Sequence, residues 1–327
     1  MKKKFWILLG ILISSILISA CVGRYHISIV DIIEILKGNP KSTMDASVFY
    51  KIRLPRTFLV VLSGGALALA GTVYQMLFKN PLVSPDVLGV DKGCSVGAIL
   101  AILYGGGSMA ALSASSFLFG LLTVCLALLL SRFMRGNSIY SMVIAGIVIA
   151  SLANSIIMLL KYTADPNREL PVIEYWLMGS FNNGNMKQLQ TISPMIFAAT
   201  FIIYLLRWKL KVLTMGDEEA KSLGISVGML RAIAILCATM LVSAVVSVAG
   251  TISWIGLIIP HLVRVIGGED FVENFSLSLL CGGIFLLIAD ILARTLFTAE
   301  IPIGILTSFI GAGFLVLFLC NKKFRSV

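Results

Sequence analysis

Apolar stretches long enough to cross a bilayer recur ten times in this chain, and nothing constrains its fold more. A helix needs about 20 apolar residues to span the hydrocarbon core. Lipid offers the backbone no hydrogen-bond partners, so a spanning segment must satisfy its own polar groups. The runs fall at 5–22, 57–78, 88–105, 109–131, 139–160, 190–206, 230–250, 252–266, 273–296 and 301–320. Of the 327 residues, 58% are hydrophobic and 13% charged, against about 25% charged in a soluble domain. The reading is an all-α polytopic bundle of about ten transmembrane helices, one membrane domain over 1–327. Residues 28–37 are too short and too charged to span, and they read as an amphipathic helix on the membrane surface.

The net charge is +10. In a soluble protein that excess would point to nucleic acid. Here Lys and Arg gather at segment ends, so they report orientation, and no nucleic-acid partner is expected. An even number of spans puts both termini on one side. That side carries sixteen of the 26 basic residues and the other side ten, which places both termini and the segment at 216–224 in the cytoplasm. The six cysteines form no CxxC and mostly fall inside apolar runs; they read as small buried hydrophobes, with neither a disulfide nor a metal site indicated. Lys2 to Lys4 and the run ending Ile18-Ser-Ala-Cys21 look like a lipoprotein signal. A first transmembrane helix accounts for the same residues and is preferred.

One polar island interrupts the apolar pattern, Gly216-Asp-Glu-Glu-Ala-Lys-Ser-Leu-Gly224. Asp217, Glu218 and Glu219 lead it, and Ala220 and Leu223 lie three residues apart, on one side of a short helix. Such a helix on a cytoplasmic loop reads as a socket for a soluble partner. On the opposite side Arg53, Arg56 and Arg294 lie against the membrane, where the charge rule disfavours them. They either snorkel to lipid phosphates or form a guanidinium ring facing an acidic partner. Asp290 stands four residues before Arg294, and it reads as the only good intramembrane carboxylate. The two are either a self-neutralising packing pair or a functional one.

Two stretches break helical continuity. In Asn80-Pro-Leu-Val-Ser-Pro-Asp-Val-Leu-Gly89, Pro81 and Pro85 forbid an unbroken helix, which reads as a gate or pathway wall, or a plain turn. In Gly250 to Arg264, the span is short and holds Pro260, with His261 and Arg264 at its end. The second histidine, His26, lies across the membrane, so His261 reads as a packed structural histidine rather than a metal ligand.

In order along the chain, these residues resemble the FecCD-type permeases of bacterial ABC importers for ferric siderophores, haem and vitamin B12. The pattern runs through Arg53-Leu-Pro-Arg56, Gly71 with Gln75, Asn80-Pro-Leu82 with Pro85, and Leu88-Gly89. It continues through Trp176 with Gly179, Gly216…Ala220…Leu223-Gly224, Gly256-Leu257…Pro260-His261…Arg264, Asp290…Arg294 and Pro302-Ile-Gly304. The resemblance implies that Arg53, Arg56 and Arg294 receive glutamates of an extracytoplasmic substrate-binding protein. It implies that Gln75, Asn80, Leu82 and Ser138, in the turn Asn137-Ser138 before the fifth span, belong to the gate and pathway. It makes Gly216 to Gly224 the coupling helix for a cytoplasmic ATPase dimer. The working assembly would pair two permeases, as a homodimer or with a similar paralogue. ATP and magnesium would sit on the ATPase, and no cofactor on this chain. The pattern fails at Gly311-Ala-Gly-Phe314, where the family's Gly-x-Pro-Phe turn has Gly313 instead of proline.

The chain has no GxxxxGK[ST] phosphate loop, so an ATP-driven mechanism needs a separate motor. An ion-coupled secondary transporter would instead call for paired midplane carboxylates. A membrane enzyme would need a cluster of reactive side chains at one depth, and none is apparent. An importer of an iron chelate, with haem or cobalamin as other cargoes, is the leading reading.

Overall fold

A computed structural model describes residues 2–320 apart from Arg24, His26, 135–137 and Glu269. In order the helices are α1 (Lys2–Cys21), α2 (Ile29–Leu36), α3 (Thr43–Val48), α4 (Leu54–Phe78), α5 (Val90–Tyr104), α6 (Met109–Phe133) and α7 (Ser138–Thr163). Then come α8 (Glu169–Leu177), α9 (Met186–Met215), α10 (Asp217–Ser222), α11 (Val227–Ala249), α12 (Ile255–Gly267), α13 (Phe271–Thr295) and α14 (Ile303–Cys320). A π turn (Phe49–Arg53) leads into α4 and a 3-10 turn (Pro85–Leu88) into α5. No strand occurs among the described residues. Among the described residues seven helices are long and apolar enough to cross a membrane: α1, α4 with its lead-in, α6, α7, α9, α11 and α13. With the shorter α5, α12 and α14 they account for all ten apolar runs.

α4 is the axis of the bundle. It packs against α13, α11, α12 and α9, and most of its side chains are buried. Its apolarity all round the helix is what a fully enclosed helix requires. Close approach comes from glycine. A Cβ on Gly64 would collide with the backbone of Gly282 in α13, and one on Gly71 with the backbone of Gly256 in α12. In lipid, where apolar side chains gain little by leaving the solvent, such small-residue contacts are a main source of helix association. The α5–α6 pair uses the same device, with Gly93 on Thr123 and Gly97 on Ser115, while the neighbouring Cys94 is buried.

α12 is short but unbroken through Pro260. Proline lacks the N–H that would reach the Gly256 carbonyl one turn back. Gln75, from α4, donates its side-chain amide to the Gly256 and Leu257 carbonyls at 3.4 and 3.2 Å. A side chain on the neighbouring helix thus replaces the missing donor. Before α12, Trp254 turns the chain in the left-handed region with φ 75°.

Three features differ from expectation. α8 falls in none of the apolar runs; it is nine residues long and lies against α5, burying Ile173. α9 is longer than its apolar run at both ends and carries Arg207, Lys209 and Lys211 in its final turns. At about 1.5 Å per residue, its 30 residues outreach the hydrocarbon core. The Arg207 guanidinium folds back over the Tyr204 ring at 3.9 Å. α14 runs straight through Gly313, where a Cβ would meet open space, so glycine in place of proline yields a continuous helix. The amphipathic helix at 28–37 is present as α2. Its Ser28–Asp31 capping box is held by Lys41 at 2.8 Å, and these bonds pull the Asp31 carboxyl down to about 2.

Because the Gly282 contact is backbone to backbone, Gly282→Ala is expected to destabilise the bundle by about 1–3 kcal/mol. Gly313→Ala should be neutral or slightly stabilising. Thermal unfolding in detergent checks both; equal Tm values for the two variants would contradict the packing described.

Candidate functional site

The functional side chains divide between the two ends of the bundle. At one end the π turn delivers Arg53, and Pro55 starts α4 with Arg56 in its first turn. Arg56 donates Nε and Nη2 to Asp290 Oδ1 at 3.1 and 2.9 Å and reaches Glu300 Oε2 at 3.0 Å through Nη1. Arg294 lies 3.0 Å from the other Asp290 oxygen, Oδ2. Its Nη2 donates to Ser19 Oγ at 2.9 Å. Arg53 donates to the carbonyls of Ala20 at 2.6 Å, Cys21 at 2.8 Å and Tyr25. The first two carbonyls close α1, where the last turn has no helical donors and the helix dipole is negative.

All three arginines are therefore brought together, with Asp290 between two of them. Yet their guanidinium groups point inward; the Arg56 and Arg294 side chains are only 7% exposed, and Arg53 is buried. An open ring facing an acidic partner is not what the structure shows at these positions. Buried cations need carboxylates and carbonyls close by, and Asp290, Glu300 and the end of α1 supply them. Glu300 carried no sequence signal, since it sits in the 296–302 turn, 244 residues from its partner Arg56.

At the opposite end α10 is braced from both sides. Asp217 accepts two hydrogen bonds from Arg231 of α11, at 2.9 and 2.6 Å. Glu218 pairs with Lys221 at 2.8 Å, which raises the Lys221 pKa. Ala220 is buried in the main core, whereas Leu223 is 66% exposed. The expectation that both share one open face is corrected here. α10 stops at Ser222 and the chain turns at Leu223 toward Gly224, which has φ 75°, so Ala220 faces the bundle and Leu223 leaves it. Met215 and Met229 are also exposed beside this turn, at 73% and 66%. Sequence reasoning passed over both because each belongs to a long apolar helix. Glu219 is exposed, and Gly216 links α9 to α10.

The remaining candidates lie between these ends. Asn80 accepts from the Leu82 amide at 2.9 Å and sets a turn that leaves Pro81 and Leu82 exposed. Leu82, Leu257, His261 and Phe314 surround one small cavity, and the His261 ring meets Phe314 edge-on at 6.1 Å. Arg264 follows one turn later on α12. Pro85 starts the 3-10 turn and packs on Gly256. Gln75 is buried against α12 and does not line an open path. Ser138 begins α7, and its side chain and Asn137 lie outside the described residues. A second carboxylate with a buried oxygen, Asp91, is set in the fold besides Asp290. Asp91 begins α5 beside Asp86, in a small cavity with Leu67 and Trp254, and its Oδ1 is buried without a hydrogen-bond partner. Its place at the start of a run disguised it as an end residue. Among the described residues no group of three or more His, Cys, Asp or Glu side chains could hold a metal ion.

The model of the FecCD transport family matches residues 11–321. The chain belongs to that family. It is therefore a membrane-spanning ABC permease subunit, a transport component. Among its relatives, the molybdate import permease MolB of Haemophilus influenzae is 36% identical over 306 residues, covering 92% of this chain and 90% of the relative. The hemin permease HmuU of Yersinia pestis is 36% identical over 294 residues, covering 87% of each. A solved structure of a metal-chelate type ABC transporter in an inward-facing conformation superposes with a TM-score of 0.89. It is 34% identical and covers 97% of this chain and 98% of that one.

If the charge cluster is structural, removing its carboxylate strands two buried guanidinium groups. Asp290→Ala is expected to cost about 3–5 kcal/mol, read as a lower Tm and a lower yield of folded protein. Wild-type stability would return these arginines to an outward-facing role.

Proposed function

We propose that this chain is the passive channel half of an ATP-driven importer for a metal chelate, with a ferric chelate as its cargo and a second permease completing the path. The observation that carries the motor side is the α10 end. Leu223, Met215 and Met229 are exposed at or next to the ends of α10, which the Asp217–Arg231 pair fixes to α11. A small hydrophobic anchor on a rigid base is what a groove on a soluble partner can grip. That partner would be a cytoplasmic ATPase dimer holding ATP and magnesium, with the α10 end and both termini in the cytoplasm. A substrate-binding protein would deliver cargo at the arginine end, on the surface that the buried charge cluster supports from beneath.

The cargo class rests on the open cleft between α14 and the loops at 177–178 and 251–253. It has a volume of about 530 Å³, and Met178, Thr251, Ser253, Ser308 and Phe309 line it without a charged side chain. Phe309 on α14 is 76% exposed, and a second permease there would close the cleft into a path. An uncharged wall suits a bulky metal complex whose charge is masked by its own ligands; a bare oxyanion would find no cation to hold it. Haem and cobalamin fit the same chemistry. The Asp86–Asp91 pair would suit an ion-coupled carrier, but family membership favours the ATPase.

Leu223→Asp is expected to cut ATPase copurification by about tenfold or more while leaving Tm unchanged, because the side chain makes little contact within the bundle. An intact complex that still transports would refute the docking role.

A further inference from the structure

Helices α6 and α9 both pack on α11 and hardly on each other. Toward the arginine end they enclose a slot of about 440 Å³, with Ser247 and Val248 of α11 as its floor. The slot is graded along its length. At its mouth stand Asn185, Lys187 and Gln188; deeper in, Ala114, Phe117, Ile192 and Met195 make it apolar. From Lys187 to Met195 is eight residues of helix, about 12 Å. That is most of one leaflet's share of a hydrocarbon core of about 30 Å. Polar atoms at the interface and apolar walls for most of a leaflet's depth match the profile of a lipid.

Two features at the mouth say more about the occupant. Lys187 is exposed and makes no ion pair among the described residues. Gln188 Oε1 is buried, lines the slot and has no hydrogen-bond partner. A buried acceptor left unpaired is costly, so it calls for a donor from outside the chain. We infer that the slot is a binding site for one phosphatidylglycerol molecule. Its acyl chain lies between α6 and α9, its phosphate pairs with Lys187, and a headgroup hydroxyl donates to Gln188 Oε1. The charge favours an anionic lipid, and the unpaired acceptor favours a headgroup that carries hydroxyls. The bound lipid fills the gap between α6 and α9 and so couples these two helices.

The test uses the full-length permease in mild detergent, supplied with phosphatidylglycerol or phosphatidylethanolamine, and counts lipids retained per chain by native mass spectrometry. Wild type should retain one phosphatidylglycerol, several-fold above phosphatidylethanolamine. Lys187→Glu should lower phosphatidylglycerol retention by about fivefold or more and leave phosphatidylethanolamine unchanged. Gln188→Leu should narrow the preference between the two lipids. Ala114→Trp, which fills the slot from an exposed helix position, should abolish retention of both. Equal retention of the two lipids by wild type would overturn the proposal. So would loss of phosphatidylglycerol in Lys187→Glu with full retention in Ala114→Trp, which would place the lipid on the surface outside the slot.

Discussion

Three helices meet at one buried ionic cluster, and the arrangement of the bundle depends on it. Arg56 from α4 and Arg294 from α13 share Asp290, while Glu300 closes Arg56 from the following turn. The positive charge left over is placed against the carbonyl end of α1 through Arg53 and Arg294. In a low-dielectric setting, charges this close hold only when every one has a partner. The cluster therefore fixes where α1 ends, how α4 enters the bundle and where α13 turns back. Glycine contacts then bring α4 against α13 and α12 along their length.

The opposite end is built on a different principle. The Asp217–Arg231 pair and the buried Ala220 hold α10 to α9 and α11, and the apolar side chains beside it stay outside. A push on Leu223 would thus travel into two long helices instead of bending a loop. The route inward is physical. α11 packs on α4, and Gln75 of α4 holds α12 at the carbonyl freed by Pro260. The exposed turn at Pro81 and Leu82 lies just past the end of that same helix. Rigid-body motion of packed helices is the form of switching that such a core allows.

Much of this was legible in the sequence. The ten spans followed from apolar run length alone, and the polar island marked α10 because charge in an apolar chain is conspicuous. Charged residues were also correctly gathered into one neighbourhood at the other end. Their direction was not legible. Whether a guanidinium faces water or a buried carboxylate depends on partners such as Glu300 and the α1 carbonyls, which lie roughly 240 and 30 residues away. Leu223 and Ala220 show the same limit at short range: α10 ends at Ser222, so two residues that helical spacing would place together face different ways. Gln75 carried a pathway role only through the resemblance; in the structure its amide satisfies backbone left open by a proline on another helix. Asp91 was hidden by the reverse effect, a buried carboxylate placed where a span begins.

The central claim is that this chain moves its cargo only when a separate ATPase drives it. Uptake of a radiolabelled ferric chelate into proteoliposomes tests that most directly, comparing the permease alone with the permease plus its ATPase and binding protein. The account predicts uptake only in the full assembly with ATP, undiminished by a protonophore. Uptake by the permease alone, driven by an imposed proton gradient and abolished by the protonophore, would contradict it.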